Sequence, residues 1–261
     1  MKIKAIQFLG FGAILLQFVA CSTTSQNEHE PRTLSPEEKA RMLVGIANGS
    51  LIEGNPTQAL KSLLEAERLD SAIPELHHSK ALAYFQKKKL AEARDSAETA
   101  VKLNPKFTAA VNTLGKIYLR TGQVKLAKPL FIRALKDPLY TEVYKPLTNL
   151  GIAYYREKNW DLASKHFKRA IEGHPELACV AHYYRGHLAY RKKDWKSASL
   201  SYRRATQKLC AKFPEAHFSL AMTYLKAKRY DEARKKFLEI ADLFPNHKIT
   251  DQAMLKLRKI P

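Results

Sequence analysis

Residues 148–175 of the chain read TNLGIAYYREKNWDLASKHFKRAIEGHP, and this stretch decides the fold. It contains two amphipathic helical patterns joined by a short polar turn. Gly151 and Ala163 are small enough for the two helices to approach closely, and Phe167 fills the space beside that contact. Pro175 ends the second helix, because proline cannot continue one. The stretch therefore predicts a hairpin of two packed helices.

The same spacing recurs along the chain. A small residue returns at intervals of 34 to 36 residues, and an alanine follows each one after 12 residues. The recurring small residues are Ala47, Ala81, Gly115, Gly151, Gly186 and Ala221. This pattern resembles the tetratricopeptide repeat, a helix-turn-helix unit of about 34 residues. The resemblance implies an all-α fold, a right-handed superhelix of six units with a C-terminal capping helix. Six matching units make unrelated helix hairpins implausible.

The predicted units have approximate boundaries set by this period. They lie near residues 40–73, 74–107, 108–143, 144–178, 179–213 and 214–247, and the cap spans 248–261. Ser35, Pro36 and Glu38 predict an N-cap, a first helical residue and a capping box, so we expect the folded part to begin at about residue 36.

Residues 1–20 are interpreted as a signal peptide rather than as part of the fold. Two lysines precede an apolar stretch, which is too short for a convincing membrane span and ends at Ala20 before Cys21. This resembles a bacterial lipoprotein signal, which is cut before a cysteine that carries a diacylglyceryl group. The resemblance implies that Cys21 is lipidated and that residues 21–35 form a flexible tether. The alternative is an ordinary signal peptide with an incidental cysteine.

Two further cysteines, Cys179 and Cys210, fall in the fifth unit. We expect Cys179 at the start of the first helix and Cys210 at the end of the second. The two helices of a unit are antiparallel, so these positions are predicted to be neighbours in space. An exported protein can form a disulfide there. The alternative is a pair of buried thiols.

Basic residues outnumber acidic residues 45 to 25 in the chain. Residues 185–236 alone contain fifteen Lys or Arg and four acidic residues. Such a field attracts anionic partners. The export signal argues against nucleic acid, which leaves lipopolysaccharide, anionic lipid or an acidic protein. A solvated surface without a partner is the other interpretation.

The first helix of each tetratricopeptide unit lines the concave face of the superhelix, and this predicts a partner-binding groove. The positions one turn either side of each recurring small residue carry aromatic, apolar and basic side chains, which suit a peptide of some acidic character. The predicted groove residues are Lys116, Arg120, Ile152, Tyr155, Arg156, Tyr183, His187, Tyr190, Arg191, Phe218 and Met222. The alternative is that some of these tyrosines pack between units.

The sequence contains no catalytic constellation. Its nine histidines are scattered without the spacing of a zinc site, and it has neither a Gly-rich phosphate loop nor a nucleophile elbow. We therefore expect no enzyme activity, no metal, no cofactor and no small-molecule substrate.

The signal, the lipidation site and the six units together resemble the type IV pilus biogenesis lipoproteins of the PilF/PilW/Tgl group. The junction 134–140, followed by Asn149-Leu150-Gly151, is the most specific part of this resemblance, and the two late cysteines are similar to the Tgl branch. Serine rather than aspartate after Cys21 implies the outer membrane.

The resemblance to this group implies a pilotin, a lipid-anchored scaffold at the periplasmic face of the outer membrane. Its partner would be a subunit of the pilus secretin, whose localisation and multimerisation it promotes during pilus biogenesis and twitching or gliding motility. The alternative is a lipoprotein adaptor of another envelope machine, for outer-membrane assembly or murein-hydrolase scaffolding. Neither interpretation involves nucleic acid.

Overall fold

The computed structural model describes residues 33–261, and the regular structure in that range is entirely helical. Ser35–Pro261 forms one compact unit. The predicted signal peptide, the predicted lipidation site Cys21 and the tether up to residue 32 lie outside the described residues. The helices are α1 (Pro36–Ile52), α2 (Pro56–Leu69), α3 (Pro74–Gln86), α4 (Leu90–Leu103), α5 (Thr108–Arg120), α6 (Val124–Ala134), α7 (Tyr144–Arg156), α8 (Trp160–Gly173), α9 (Cys179–Arg191), α10 (Trp195–Arg204), α11 (Pro214–Lys226), α12 (Tyr230–Leu243) and α13 (Lys248–Leu257), with a 3-10 turn at Lys208–Cys210 between α10 and α11.

The start of α1 is as the sequence predicts. The Ser35 hydroxyl accepts a hydrogen bond from the Glu38 backbone N–H at 3.1 Å, and the Glu38 carboxylate accepts one from the Ser35 N–H at 2.8 Å. This reciprocal arrangement is a capping box, and Pro36 follows the cap as the first helical residue. The predicted capping box is therefore confirmed.

Twelve of the described helices form six antiparallel pairs. We call the first helix of each pair the A helix (α1, α3, α5, α7, α9, α11) and the second the B helix (α2, α4, α6, α8, α10, α12). Each A helix packs on the B helix of its own unit, and successive A helices contact each other from α1 to α9. The A helices therefore form one layer and the B helices the other. The final helix α13 packs on α12 and α11, as expected of a cap.

The two helices of a unit meet at a glycine in three of the six units. A Cβ atom added to Gly151 would lie 2.4 Å from Cε1 of Phe167, a ring that is fully buried. The same pairing occurs between Gly115 and Phe131 and between Gly186 and Tyr202. In each of these units the absence of a side chain on the A helix makes room for a ring on the B helix.

The segment 135–143 between α6 and α7 contains the two extra residues of the third unit. The Asp137 carboxylate accepts hydrogen bonds from the Thr108 hydroxyl and from the Leu139 backbone N–H. The Thr108 hydrogen bond, with help from the Leu139 N–H, lowers the pKa of Asp137 below its usual value. Asp137 thus ties this linker to the start of α5.

Cys179 and Cys210 form a disulfide in the structure, with Cα atoms 5.4 Å apart. Cys179 is the first residue of α9, as expected. The expectation that Cys210 ends the second helix is wrong, because α10 ends at Arg204 and Cys210 lies in the 3-10 turn. Just beyond α10, the Thr206 hydroxyl donates to the Arg203 carbonyl at 3.0 Å. The backbone is then extended at Gln207, with φ −117° and ψ 156°, so the chain has left the helical conformation before it reaches the 3-10 turn.

Replacing Gly151 with alanine tests the close approach of the helices. We expect Gly151→Ala to lower the free energy of unfolding by about 1–3 kcal/mol, as overpacking does, although alanine favours helix. Gly45→Ala is the matched control, because a Cβ there meets no atom within 4 Å. The control should stabilise α1 by about 0.5–1 kcal/mol. Urea unfolding followed by circular dichroism measures both, and a Gly151→Ala variant as stable as the parent would contradict the packing.

The disulfide should stabilise the fifth unit. It closes a loop with a sequence separation of 31 residues. A loop of this size corresponds to about 3–4 kcal/mol in the loop-entropy model. We expect reductant to lower the thermal midpoint of the parent protein. The variant Cys179→Ser/Cys210→Ser lacks the disulfide, so it should unfold at the midpoint of the reduced parent whether or not reductant is present. Alkylation of both thiols in the native, unreduced protein, detected by intact mass, would refute the bridge.

Candidate functional site

A cavity of about 340 Å³ lies among α3, α5 and α7. Its lining comes from these three A helices, from the linker 135–143 and from residues 177–180, without any B-helix residue. The cavity therefore opens on the face of the A helices that points away from the B helices. The lining residues used below are Leu82, Lys116, Tyr140, Lys145, Asn149 and Ile152.

Polar side chains connect neighbouring A helices at this cavity. His78 Nε2 lies 3.0 Å from Thr113 Oγ1, and Asn149 Nδ2 donates to Asn112 Oδ1 at 3.1 Å. Burial lowers the pKa of His78 to about 4, with a smaller contribution from the nearby Lys145 ammonium. His78 is therefore neutral at pH 7, and the histidine adds no charge to the cavity.

Lys116 supplies a positive charge at the cavity wall. Its side chain is exposed, and its Nζ lies 4.5 Å from the centroid of the Phe85 ring. The groove walls displace water around the ammonium and lower its pKa, and the charges of Lys145 and Arg120 lower it further. Lys145 is paired with Glu142, whereas Lys116 has no carboxylate within ion-pairing distance among residues 33–261. An acidic group entering the cavity would find this charge unneutralised.

The predicted basic residues of the groove fall into two groups. Lys116 lines the cavity, and Arg120 is exposed at the end of the same helix. Arg156 and Arg191 are already engaged within the protein. Arg156 donates to a backbone carbonyl at the end of α5, and the Arg191 guanidinium lies 4.0 Å from the centroid of the Trp160 ring. The last two side chains therefore connect adjacent units.

The predicted groove tyrosines of the fourth and fifth units are half-buried in a cluster of rings. Tyr183 lies with its ring centroid 4.4 Å from that of His187 and 4.9 Å from that of Phe213. Tyr155 makes an edge contact with Tyr184 at 5.1 Å. Burial lowers the pKa of His187 to about 4, so this ring is also neutral at pH 7. These rings contact side chains of adjacent units, and a partner-binding role for them stays a prediction.

The remaining predicted groove residues contact the core of the last units. Tyr190, Phe218 and Met222 are half-buried and pack against the cluster that surrounds Tyr202 and Phe237. Ile152, by contrast, lines the cavity. The structure thus brings only Lys116 and Ile152 of the predicted set to the cavity, and a partner-binding role for the others stays a prediction.

The sequence did not single out Tyr140, Lys145 and Asn149 as site residues, although all three line the cavity. Burial raises the pKa of Tyr140 well above its ordinary value. Tyr140 belongs to the linker that lengthens the third unit. The 36-residue interval between Gly115 and Gly151 was therefore the signal that could have directed attention to this region.

Two further properties of the described residues bear on function. In residues 33–261 no helix is both long enough and apolar enough to cross a membrane. The same part of the chain contains no cluster of three or more His, Cys, Asp or Glu side chains that could hold a metal ion.

Solved structures of several proteins are similar to this chain. The structure of Pseudomonas aeruginosa PilF has a TM-score of 0.64 and 17% identity, over 85% of this chain and 99% of that one. PilW, described as a widely conserved type IV pilus biogenesis factor, has a TM-score of 0.68 and 17% identity, over 82% and 98%. The anaphase-promoting complex hetero-tetramer Cut9–Hcn1 has a TM-score of 0.72 and 17% identity, over 85% and 43%. At such identities these similarities show the fold.

Sequence comparison identifies the repeat itself. One tetratricopeptide-repeat profile matches residues 74–107 and 214–247, and a second matches 112–178 and 148–209, which together exceed half of the chain. An uncharacterised protein of Pyropia yezoensis, ycf37, is 30% identical over 126 residues, or 46% of this chain and 67% of that protein. Tetratricopeptide repeats generally mediate protein–protein interaction. The chain therefore belongs to the tetratricopeptide-repeat family and has its superhelical fold.

Proposed function

We propose that this protein is an outer-membrane lipoprotein scaffold that binds a subunit of the type IV pilus secretin and promotes its localisation and multimerisation. The observation that carries the binding function is the cavity on the exposed face of the A helices, with an unneutralised lysine in its wall. The partner is suggested by the lipoprotein-like N-terminus and the junction before Gly151. The fold shared with PilF and PilW is compatible with this choice.

The chemistry of the cavity specifies the kind of segment that it would hold. Leu82 and Ile152 provide apolar surface, and Lys116 provides an ammonium group beside it. A segment with an apolar side chain next to an aspartate or glutamate would match both features. A hydrogen bond to a charged group contributes about 1.5–3 kcal/mol, so the Lys116 contact would be a substantial part of the binding energy.

Lipidation of Cys21 would keep this groove at the membrane where the secretin assembles. The polar tether that follows would reach roughly 20 Å by random-coil scaling. A tethered binding site raises the effective concentration of its partner without any further contact. In this proposal the protein acts by binding and placement, so no catalytic residue is required.

An adaptor of another envelope machine is the second candidate. The similarity to Cut9–Hcn1 supports this candidate, because Cut9–Hcn1 is a multi-subunit assembly unrelated to pili that contains a similar fold. Affinity capture from envelope membranes separates the two candidates. The pilus function predicts the secretin among the captured proteins, whereas murein hydrolases or outer-membrane assembly subunits without secretin would support the adaptor.

Charge reversal in the cavity tests the proposed site. We expect Lys116→Glu to weaken binding of the purified periplasmic region of the secretin at least about tenfold, or 1.4 kcal/mol, because repulsion replaces attraction. The free energy of unfolding should change by less than about 1 kcal/mol, since loss of the Lys116–Phe85 contact is offset by attraction of the new carboxylate to Lys145 and Arg120. Calorimetric titration measures the affinity, and urea unfolding measures the stability.

Lys125→Glu is the matched control. Lys125 is exposed on the B helix α6, and its replacement by glutamate changes the net charge by the same amount as Lys116→Glu. The affinity of the control variant for the secretin should equal that of the parent protein within about twofold. If both variants bind as tightly as the parent, the cavity is not the site. If the parent itself does not bind the secretin, the pilus function is wrong.

A further inference from the structure

The short turns from A helix to B helix all lie at one edge of the solenoid. The A helices from α1 to α9 contact one another in succession, and α11 packs on α10, so the C-terminal ends of the A helices lie at the same edge. We define the turn edge as the last residue of each A helix through the first residue of its B helix. Its segments are 52–56, 86–90, 120–124, 156–160, 191–195 and 226–230.

This turn edge is strongly basic, and the opposite edge is not. The turn edge contains twelve Lys or Arg and three acidic residues. The opposite edge, from the end of each B helix to the start of the next helix, is longer but contains six basic and four acidic residues. Of the two edges, the turn edge therefore carries the larger excess of positive charge.

Four of the six turns place a lysine where glycine would be favoured. These lysines have φ between 58° and 62°, in the left-handed region that disfavours residues with a side chain. They are Lys88, Lys158, Lys193 and Lys228. The other two turns have Gly54 and Gly122 at the equivalent position. The left-handed backbone would favour glycine at this position in every turn. It therefore does not explain why four of the turns have lysine there.

The left-handed lysines also do not stabilise the fold through ion pairs. All four are exposed, and within the part of the chain that the structure describes none has a carboxylate at ion-pairing distance. Lys89 and Arg229 differ, since they pair with Glu92 and Glu232. The exposed, unpaired lysines remain available to an external anion.

The helix dipole does not account for the asymmetry between the edges. It favours cations near the C-terminus of every helix. Four A helices (α5, α7, α9, α11) and four B helices (α2, α4, α6, α10) have a basic residue in the last turn, so this effect is the same at both edges and cannot explain why the turn edge is the more basic one. A general dipole effect would enrich both edges alike.

Aromatic residues accompany the lysines in the last three units. Trp160, Trp195 and Tyr230 are the first residues of α8, α10 and α12, directly after the basic turns. The two tryptophans are the only ones in the chain, and all three rings are half-buried. Tryptophan and tyrosine beside lysine and arginine are typical of the membrane–water interface.

We propose that the turn edge of units four to six docks on an anionic membrane surface and contacts lipid phosphate groups. Lysine suits this role, because its compact charge on a flexible stem can follow a mobile array of phosphates without a fixed geometry. The half-buried rings would lie at the headgroup level. This surface is separate from the cavity, so the proposal does not depend on the identity of the protein partner.

Vesicle flotation tests the proposal with residues 35–261, which form one compact unit with the packed core and omit the apolar N-terminus. We expect this protein to bind phosphatidylcholine vesicles that contain phosphatidylglycerol and not phosphatidylcholine alone. The variant Lys158→Gly/Lys193→Gly/Lys228→Gly should lose at least about tenfold in affinity for the anionic vesicles. Its unfolding midpoint should be equal or higher, because glycine accepts the left-handed backbone.

The control variant Lys165→Gln/Lys212→Gln/Lys235→Gln removes three charges from exposed positions away from the turns and should bind like the parent. Equal loss in both variants would mean that net charge alone drives binding and would overturn the proposal. The proposal would also be overturned if the parent protein bound neutral and anionic vesicles equally well, or if it bound neither. A turn variant that loses heparin binding but keeps vesicle binding would instead assign the edge to an acidic polymer.

Discussion

The close approach of two helices within each unit is the constraint on which the rest of this structure depends. In the central units a glycine on the A helix faces a buried ring on the B helix, at distances that leave no room for a Cβ atom. This contact fixes how far apart the two layers lie and which face of each A helix is covered. The opposite face of the A helices is therefore free to form a groove.

The linker 135–143 turns part of that groove into a cavity. The connections from α2 to α3 and from α4 to α5 each have four residues, whereas the connection from α6 to α7 has nine and supplies Tyr140 and Glu142 to the wall. Lys145 pairs with Glu142, which leaves Lys116 as the unneutralised charge of the cavity. A local departure from the repeat has thus supplied part of the cavity wall that the A helices do not form. The basic turn edge, by contrast, depends on the regularity of the repeat, which brings the turn of every unit to the same edge.

Much of the fold could be predicted from the sequence, because the spacing of small residues specifies which residues face each other within a unit. The capping box before α1 was predictable from three neighbouring residues, and the final helix α13 was predictable as the cap that follows the sixth unit. The cavity was not, since the spacing reveals that the third unit is longer without showing where the extra residues pack. Nor could spacing show that Tyr183 contacts Phe213, because Phe213 lies in the irregular segment between α10 and α11, which the helical spacing does not describe. The early end of α10 was not predictable either, because the repeat spacing does not show that the backbone becomes extended at Gln207.

Site-specific photo-crosslinking is the most direct test of the claim that the cavity holds the secretin. A photoreactive residue would replace Ile152 in the cavity wall or, as a matched control, Ile132, which is 45% exposed on the B helix α6. The account predicts a crosslink to the secretin subunit from position 152 and little or none from position 132. Crosslinking to the secretin from position 132 but not from position 152 would contradict it.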